Sequence, residues 1–258
     1  MHHFFTTEDH IADGYISIDG DAYNHAVNVL RLKKGERIII SDEQGTDYQC
    51  VVSDIAEDEQ TFSAKIEDVS RENHELPARV ILFQALPKSD KMELIIQKAT
   101  ELGVTAIVPV ETRNCVVKLD GKRADQKVKR WQAIAQSAAE QSKRSKVPEI
   151  CPIISFTEAV KAAEVCDVKI IPYENAEGLT TLSEAIISFL PDRSIAIFIG
   201  PEGGFDRLEI KHAENHGIVP VSLGKRILRV ETAAIAILSL VMIRLEIAEE
   251  MNFGPDEE

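Results

Sequence analysis

A chain of 258 residues, 44% hydrophobic and 28% charged, can bury a sizeable core in one large or two smaller domains. Its net charge of −14 speaks against a partner attracted by overall charge, and no apolar stretch of membrane-spanning length is free of charges or breaks. The first residues lack a basic-then-apolar leader pattern, and Cys50, Cys115, Cys151, Cys166, His2, His3 and His10 lack metal-ligand spacing, so a cytoplasmic protein without a metal is expected.

Residues 1–72 read as short strands at 14–18, 37–41, 48–52 and 61–66, punctuated by Gly20, Gly35 and Gly45, which predicts a small β barrel. One helical segment interrupts them at 21–32, with Ala22, Ala26, Val29 and Leu30 at core-facing spacing. A polar stretch at 70–77 is the linker candidate. Beyond it strands alternate with helices. Strands are expected at 79–84, 106–110, 168–172, 194–199 and 218–223, and helices at 90–102, 124–142, 182–190, 206–216 and 231–249. Such alternation predicts an α/β layered domain with a mostly parallel sheet.

The strand at 194–199 runs into Gly200-Pro201-Glu202-Gly203-Gly204-Phe205, and Asp206 with Glu209 has capping-box spacing for the next helix. Glycines let a backbone come close to a ligand, but Glu202 disfavours an anion, and the spacing matches neither the dinucleotide fingerprint nor a Walker loop. A ligand held by backbone hydrogen bonds to a base, such as adenosine carrying a sulfonium, suits it better. A plain tight turn accounts for the loop equally well.

The strand at 218–223 ends in Gly224-Lys225-Arg226, and after Ile227-Leu228-Arg229-Val230 a helix begins that is apolar all round, as for deep burial or a subunit interface. If the two strands are parallel neighbours, their loops open on one edge and can share a ligand. Solvated arginines beside a core helix are the plain alternative. Despite the net negative charge, residues 118–146 hold nine basic and three acidic side chains, a local charge of +6. Screening over roughly 8–10 Å makes such a face visible to a phosphate backbone, although a solvated helix surface has the same composition.

The segments 199–205 and 223–233 together resemble the ribosomal RNA small subunit methyltransferase E family of the SPOUT methyltransferases, and 25–31, 86–104 and 138–144 agree. The resemblance implies a PUA-like RNA-binding β-barrel at 1–72, a trefoil-knotted SPOUT domain at 73–250 and an acidic tail at 251–258. It further implies a homodimer that methylates N3 of a uridine in 16S rRNA, in the assembled 30S subunit, with S-adenosylmethionine. On the same pattern Pro172, Tyr173 and Glu174 would bind the cofactor, as would Ile199, Gly200, Pro201, Glu202, Gly203 and Gly204. Leu223, Gly224, Ile227, Leu228, Arg229, Glu231, Thr232 and Ala233 complete that set. Arg226 and Arg229 are the catalytic candidates, as stabilisers of the deprotonated uracil ring. His25, Arg31, Lys88, Lys91, Lys118, Lys143 and Arg144 are the implied RNA contacts. The chain departs from the pattern at its start, with His2-His3 where arginine is frequent, and at Arg113-Asn114-Cys115 in place of Glu-Arg-Ser. A non-catalytic RNA-binding or ribosome-assembly protein, and a knotted enzyme acting on tRNA, are the alternatives.

Overall fold

The computed structural model describes residues 1–42, 44–70, 74–119, 121–176 and 178–252, so most of the acidic tail lies outside the described residues. The chain forms two compact units, one of Met1–Glu75 with Ala139–Val147, the other of Leu76–Ala138 with Pro148–Glu258.

The first unit holds strands β1 (His2–Phe5), β2 (Ile11–Ala12), β3 (Tyr15–Ile18), β4 (Arg37–Ser41), β5 (Asp47–Ala56) and β6 (Thr61–Ser70), with a short helix α1 (Gly20–Asn24). The sheet order is β1-β4-β5-β6-β3-β2, antiparallel except for the β1–β4 pair. Alternation drives the strands: Ile16 and Ile18 of β3 and Ile38 and Ile40 of β4 point into a core with Phe4 and Phe62. The expected helix at 21–32 is shorter. After α1 the chain widens into one π turn, where Leu30 N–H donates to His25 O at 3.0 Å, and Arg31 at φ 57° ends the run.

Strand β1 was not anticipated from the sequence, because His2-His3-Phe4-Phe5 shows no alternation. His3 is buried and its Nε2 lies 2.6 Å from Ser41 Oγ, which donates to Asp47 Oδ1 at 2.5 Å. Burial is the main cause that lowers the His3 pKa, with Asp47 opposing it. Ser145 Oγ donates to Asp47 Oδ2 at 3.2 Å, and Arg144 pairs with Glu75, so residues 139–147 are tied to this unit by buried polar contacts.

The second unit comprises β7 (Arg79–Ala85), α2 (Lys91–Glu101), β8 (Ala106–Glu111), α3 (Gly121–Ser142), β9 (Glu149–Ile150), β10 (Ile154–Ser155) and α4 (Phe156–Ala162). It continues with β11 (Val168–Pro172), α5 (Thr180–Ile187), β12 (Ser194–Ile199), α6 (Arg207–Asn215), β13 (Val219–Val221) and α7 (Val230–Asn252). All strands pair in parallel, in the order β10-β8-β7-β12-β11-β13, with β9 also on β8. Continuous apolar runs in β7, β8 and β12 fit a sheet covered on both faces, and the rings of Phe83 and Phe198 stack with centroids 4.5 Å apart. The elements β9, β10 and α4 were not expected, although Ser155 and Glu158 form a complete capping box that was readable in the sequence. Strand β13 is only three residues long; Pro220 is tolerated within it because it is an edge strand, and Ser222 already turns toward Gly224.

One expectation needs correction. Strands β12 and β13 are parallel but not neighbours, since β11 lies between them. Three strand ends therefore meet at this edge, not two. No described helix is long and apolar enough to cross a membrane.

Candidate active site

The ends of β11, β12 and β13 enclose a cavity of about 470 Å³. Parallel strands put all their carboxyl ends on one edge, and there the loops after them converge. Tyr173 and Glu174 come from β11, with Tyr173 N–H donating to Val221 O at 2.9 Å, which ties this loop to β13.

The loop after β12 is held on every side. Gly204 N–H donates to Pro201 O at 2.9 Å to close a turn, and Gly204 has φ 65°, a conformation that disfavours any side chain. A Cβ on Gly200 would lie 3.2 Å from the buried Phe205 ring. The expected capping box is present: Asp206 accepts from Leu208 N–H at 2.8 Å and Glu209 accepts from Asp206 N–H at 2.9 Å.

Glu202 is the charged member of this loop. Its carboxylate accepts Lys88 N–H at 3.1 Å and lies 3.2 Å from Lys91 Nζ, and Lys91 also reaches Glu231 at 3.3 Å. Burial pushes the Glu202 pKa up, but hydrogen bonds from its own and the Lys88 N–H and from Lys91 outweigh it, so the net direction is down. Lys91 is raised, first by its bond to Glu202, against partial burial. Glu202 is thus already matched by a cation of its own chain.

The loop after β13 is different in kind. Lys225, Arg226, Ile227 and Arg229 are exposed, Ile227 to 86%, and Gly224 bonds only locally, to Ser222 Oγ at 3.3 Å. Leu223, Gly224, Leu228 and Ala233 line the cavity with them.

Most of the cofactor residues expected from sequence therefore surround one space. Gly203, Glu231 and Thr232 sit beside it without lining it, whereas Lys91, Phe205, Ser222, Lys225 and Val230 line it and were not assigned there. Phe205, Lys225 and Val230 stand inside the quoted motifs, and Lys91 stands inside the agreeing segment 86–104, where it reads as an RNA contact; only the fold brings it to the cavity. Of the expected RNA contacts, Arg31, Lys88, Lys118 and Lys143 are exposed and His25 is half-buried. Arg144 is a correction: it is 3% exposed and its guanidinium is paired with Glu75, so it is not placed to meet a phosphate. An Arg buried in this way is held by its partner because an unpaired buried charge is strongly destabilising.

Residues 74–242 match the family model described as RNA methyltransferase domain, and residues 18–67 match RNA methyltransferase PUA domain. The ribosomal RNA small subunit methyltransferase E of Bacillus subtilis is 38% identical over 90% of this chain and 91% of its own length. Its Mesomycoplasma hyopneumoniae counterpart is 34% identical over 93% and 98%. Among solved structures, ribosomal RNA small subunit methyltransferase E from Neisseria gonorrhoeae, bound to S-adenosyl methionine, superposes with a TM-score of 0.82 at 32% identity, covering 94% of this chain and 97% of that one. With the cavity formed by the same two motifs that carried the resemblance, the chain belongs to the ribosomal RNA small subunit methyltransferase E family.

Proposed function

We propose that this protein transfers the methyl group of S-adenosylmethionine to N3 of a uridine in 16S rRNA of the small ribosomal subunit. The observation that carries the reading is the cavity at the joint edge of β11, β12 and β13, whose size suits a nucleoside bearing an amino-acid tail. Gly200 and Gly204 leave backbone exposed beside it, Tyr173 and Leu223 offer flanking surface, and Pro172, Glu174, Ile199, Pro201, Ile227 and Leu228 complete the wall. The Neisseria gonorrhoeae relative, bound to S-adenosyl methionine, supports the same ligand.

The cofactor supplies a methyl group on a positively charged sulfur. The chain's part is positioning and charge. N3 of uracil must lose its proton before or as the N–C bond forms, leaving negative charge over the ring carbonyls. Arg226 and Arg229, which are exposed and line the cavity, are the proposed stabilisers of that charge, and no residue is assigned as base. Exposed Arg31, Lys88, Lys118, Lys122, Arg123, Lys129 and Lys143 supply cations for an RNA backbone.

The finer architecture belongs to the same reading. The crossing from β12 over β11 to β13 supports the trefoil knot, and the sheet of the first unit, with its family match, supports a PUA-like barrel. The α7 residues Ala236, Ile243 and Ile247 form an exposed apolar stripe at helical spacing, which supports a homodimer. The cytoplasm is where such a substrate is met.

Methyl transfer from labelled cofactor to 30S subunits, naked 16S rRNA and tRNA, with nucleoside analysis, tests the proposal. The expected product is 3-methyluridine in 30S subunits, made by a species of twice 28.6 kDa in sedimentation. Label in tRNA, or at another atom, overturns the target. Cofactor binding without transfer to any of the three RNAs favours a non-catalytic RNA-binding role.

A further inference from the structure

The turn that follows β8 does not line the cavity, yet it holds the loop that does. Cys115 N–H donates to Thr112 O at 3.1 Å, and the buried Cys115 Sγ donates to Leu86 O at 3.4 Å, so the turn is closed and braced from behind. It presents Asn114 and Arg113 to the neighbouring strand's loop. The two N–H groups of one Asn amide suit two acceptors, and Asn114 Nδ2 donates to Gly203 O and to Gly204 O, both at 3.1 Å. A Cβ on Gly203 would lie 3.1 Å from Asn114 Cβ, so the absence of a side chain there is what lets the two segments approach. Arg113 holds the far end of the same loop. Its N–H donates to Glu209 Oε1 at 2.8 Å and its guanidinium to Asp206 Oδ1 at 3.0 Å, the two residues that cap α6.

We propose that Asn114, with Arg113 behind it, is a positioning residue for the cofactor loop. Its amide fixes the carbonyls of Gly203 and Gly204, so the polar backbone at 199–204 is set before the ligand arrives. Holding a loop in its bound shape raises affinity by reducing the ordering cost of binding. In this chain, then, the segment at 113–115, which departs from the family pattern, acts on the cofactor side of the site and not on RNA. The inference rests on the proposed reading of the cavity as the cofactor site.

Calorimetric binding of S-adenosylmethionine to the full chain, together with steady-state methylation, tests it. Asn114→Ala should weaken cofactor binding about tenfold and raise the cofactor KM in step, while kcat at saturating cofactor and the RNA KM stay within about twofold. Asn114→Asp keeps the shape but turns a carboxylate toward two carbonyls, and should lose at least as much. Arg113→Ala, at a side chain 58% exposed, should cost about threefold and provides the measurement if the Asn114 variants do not fold. Unchanged cofactor affinity in Asn114→Ala or, where that variant is unfolded, in Arg113→Ala, overturns the proposal. So does a raised RNA KM with intact cofactor affinity. Gly204→Ala separates this failure from the failure of the site: if it too binds cofactor normally, the cavity reading falls, and if it alone loses binding, only the clamp does.

Discussion

Two loops leave the same sheet edge and face one cavity, but they are built in opposite ways. The loop after β12 rests on the Phe205 ring, closes on itself through Pro201 and Gly204, and receives bonds from Asn114, Lys88 and Lys91. The loop after β13 exposes Lys225, Arg226, Ile227 and Arg229, and its hydrogen bonds run mainly between Ser222 and Gly224. A small rigid ligand is bound most tightly by groups already in place, whereas a large RNA must reach the reacting atom past side chains that can adjust. On the proposed function, the first loop serves the cofactor and the second serves the uridine.

The sharpest break of this contrast is Gly200→Val. A branched side chain there meets the Phe205 ring already at its Cβ, so either ring or loop must shift. Cofactor affinity should fall more than about a hundredfold, with a folded circular-dichroism spectrum retained; calorimetry reads the first and spectroscopy the second. Wild-type affinity would mean the loop is not preorganised. Arg229→Ala should do the reverse. Single-turnover methylation at saturating cofactor should fall about 30- to 100-fold, in the range of one lost charge stabiliser, while cofactor affinity changes less than about threefold. An unchanged single-turnover rate removes Arg229 from the catalytic role.

The first loop was largely legible in the sequence and the second only in part, for a physical reason. Strand, glycines, turn and capping box are local patterns, and Asp206 with Glu209 appears as its spacing predicts. Strand order is not local: nothing in residues 194–223 says that β11 will sit between β12 and β13. For the same reason Lys91 read as an RNA contact until the fold brought it to Glu202 and Glu231. Arg144 failed differently, since a basic run looks solvated whether or not one member turns inward to Glu75. In the first unit, β1 escaped notice because its residues show no alternation and what orders it is pairing with the distant β4.

The mildest effect, and the one that refines the contrast, is the pH response of the clamp around Glu202. The folded loop favours the ionised carboxylate, so its pKa lies below the ordinary 4.5. A group depressed in the folded state contributes stability that is fully present above its unfolded value and is lost as pH falls through the folded one. Lys91 is raised above 10.5, so its share is fully present below that value and lost only at more alkaline pH. Between roughly pH 5 and 10 the pair should therefore contribute a constant amount. With the Glu202 side chain 26% exposed and screened, that amount should appear as about 1–2 °C between the thermal midpoints of the protein and its Glu202→Gln variant. The gap should hold steady from pH 8 to 5, narrow as pH falls below 4.5, and close only once pH is below the depressed folded value, where both carry a neutral side chain. Using the difference between two proteins cancels every other carboxylate that titrates in that range. A gap that persists into acid would assign the effect to the shape of the side chain instead of its charge. The firm loop would then be held by Asn114, the Phe205 ring and the turn that Gly204 closes on Pro201, with no contribution from the Glu202 charge.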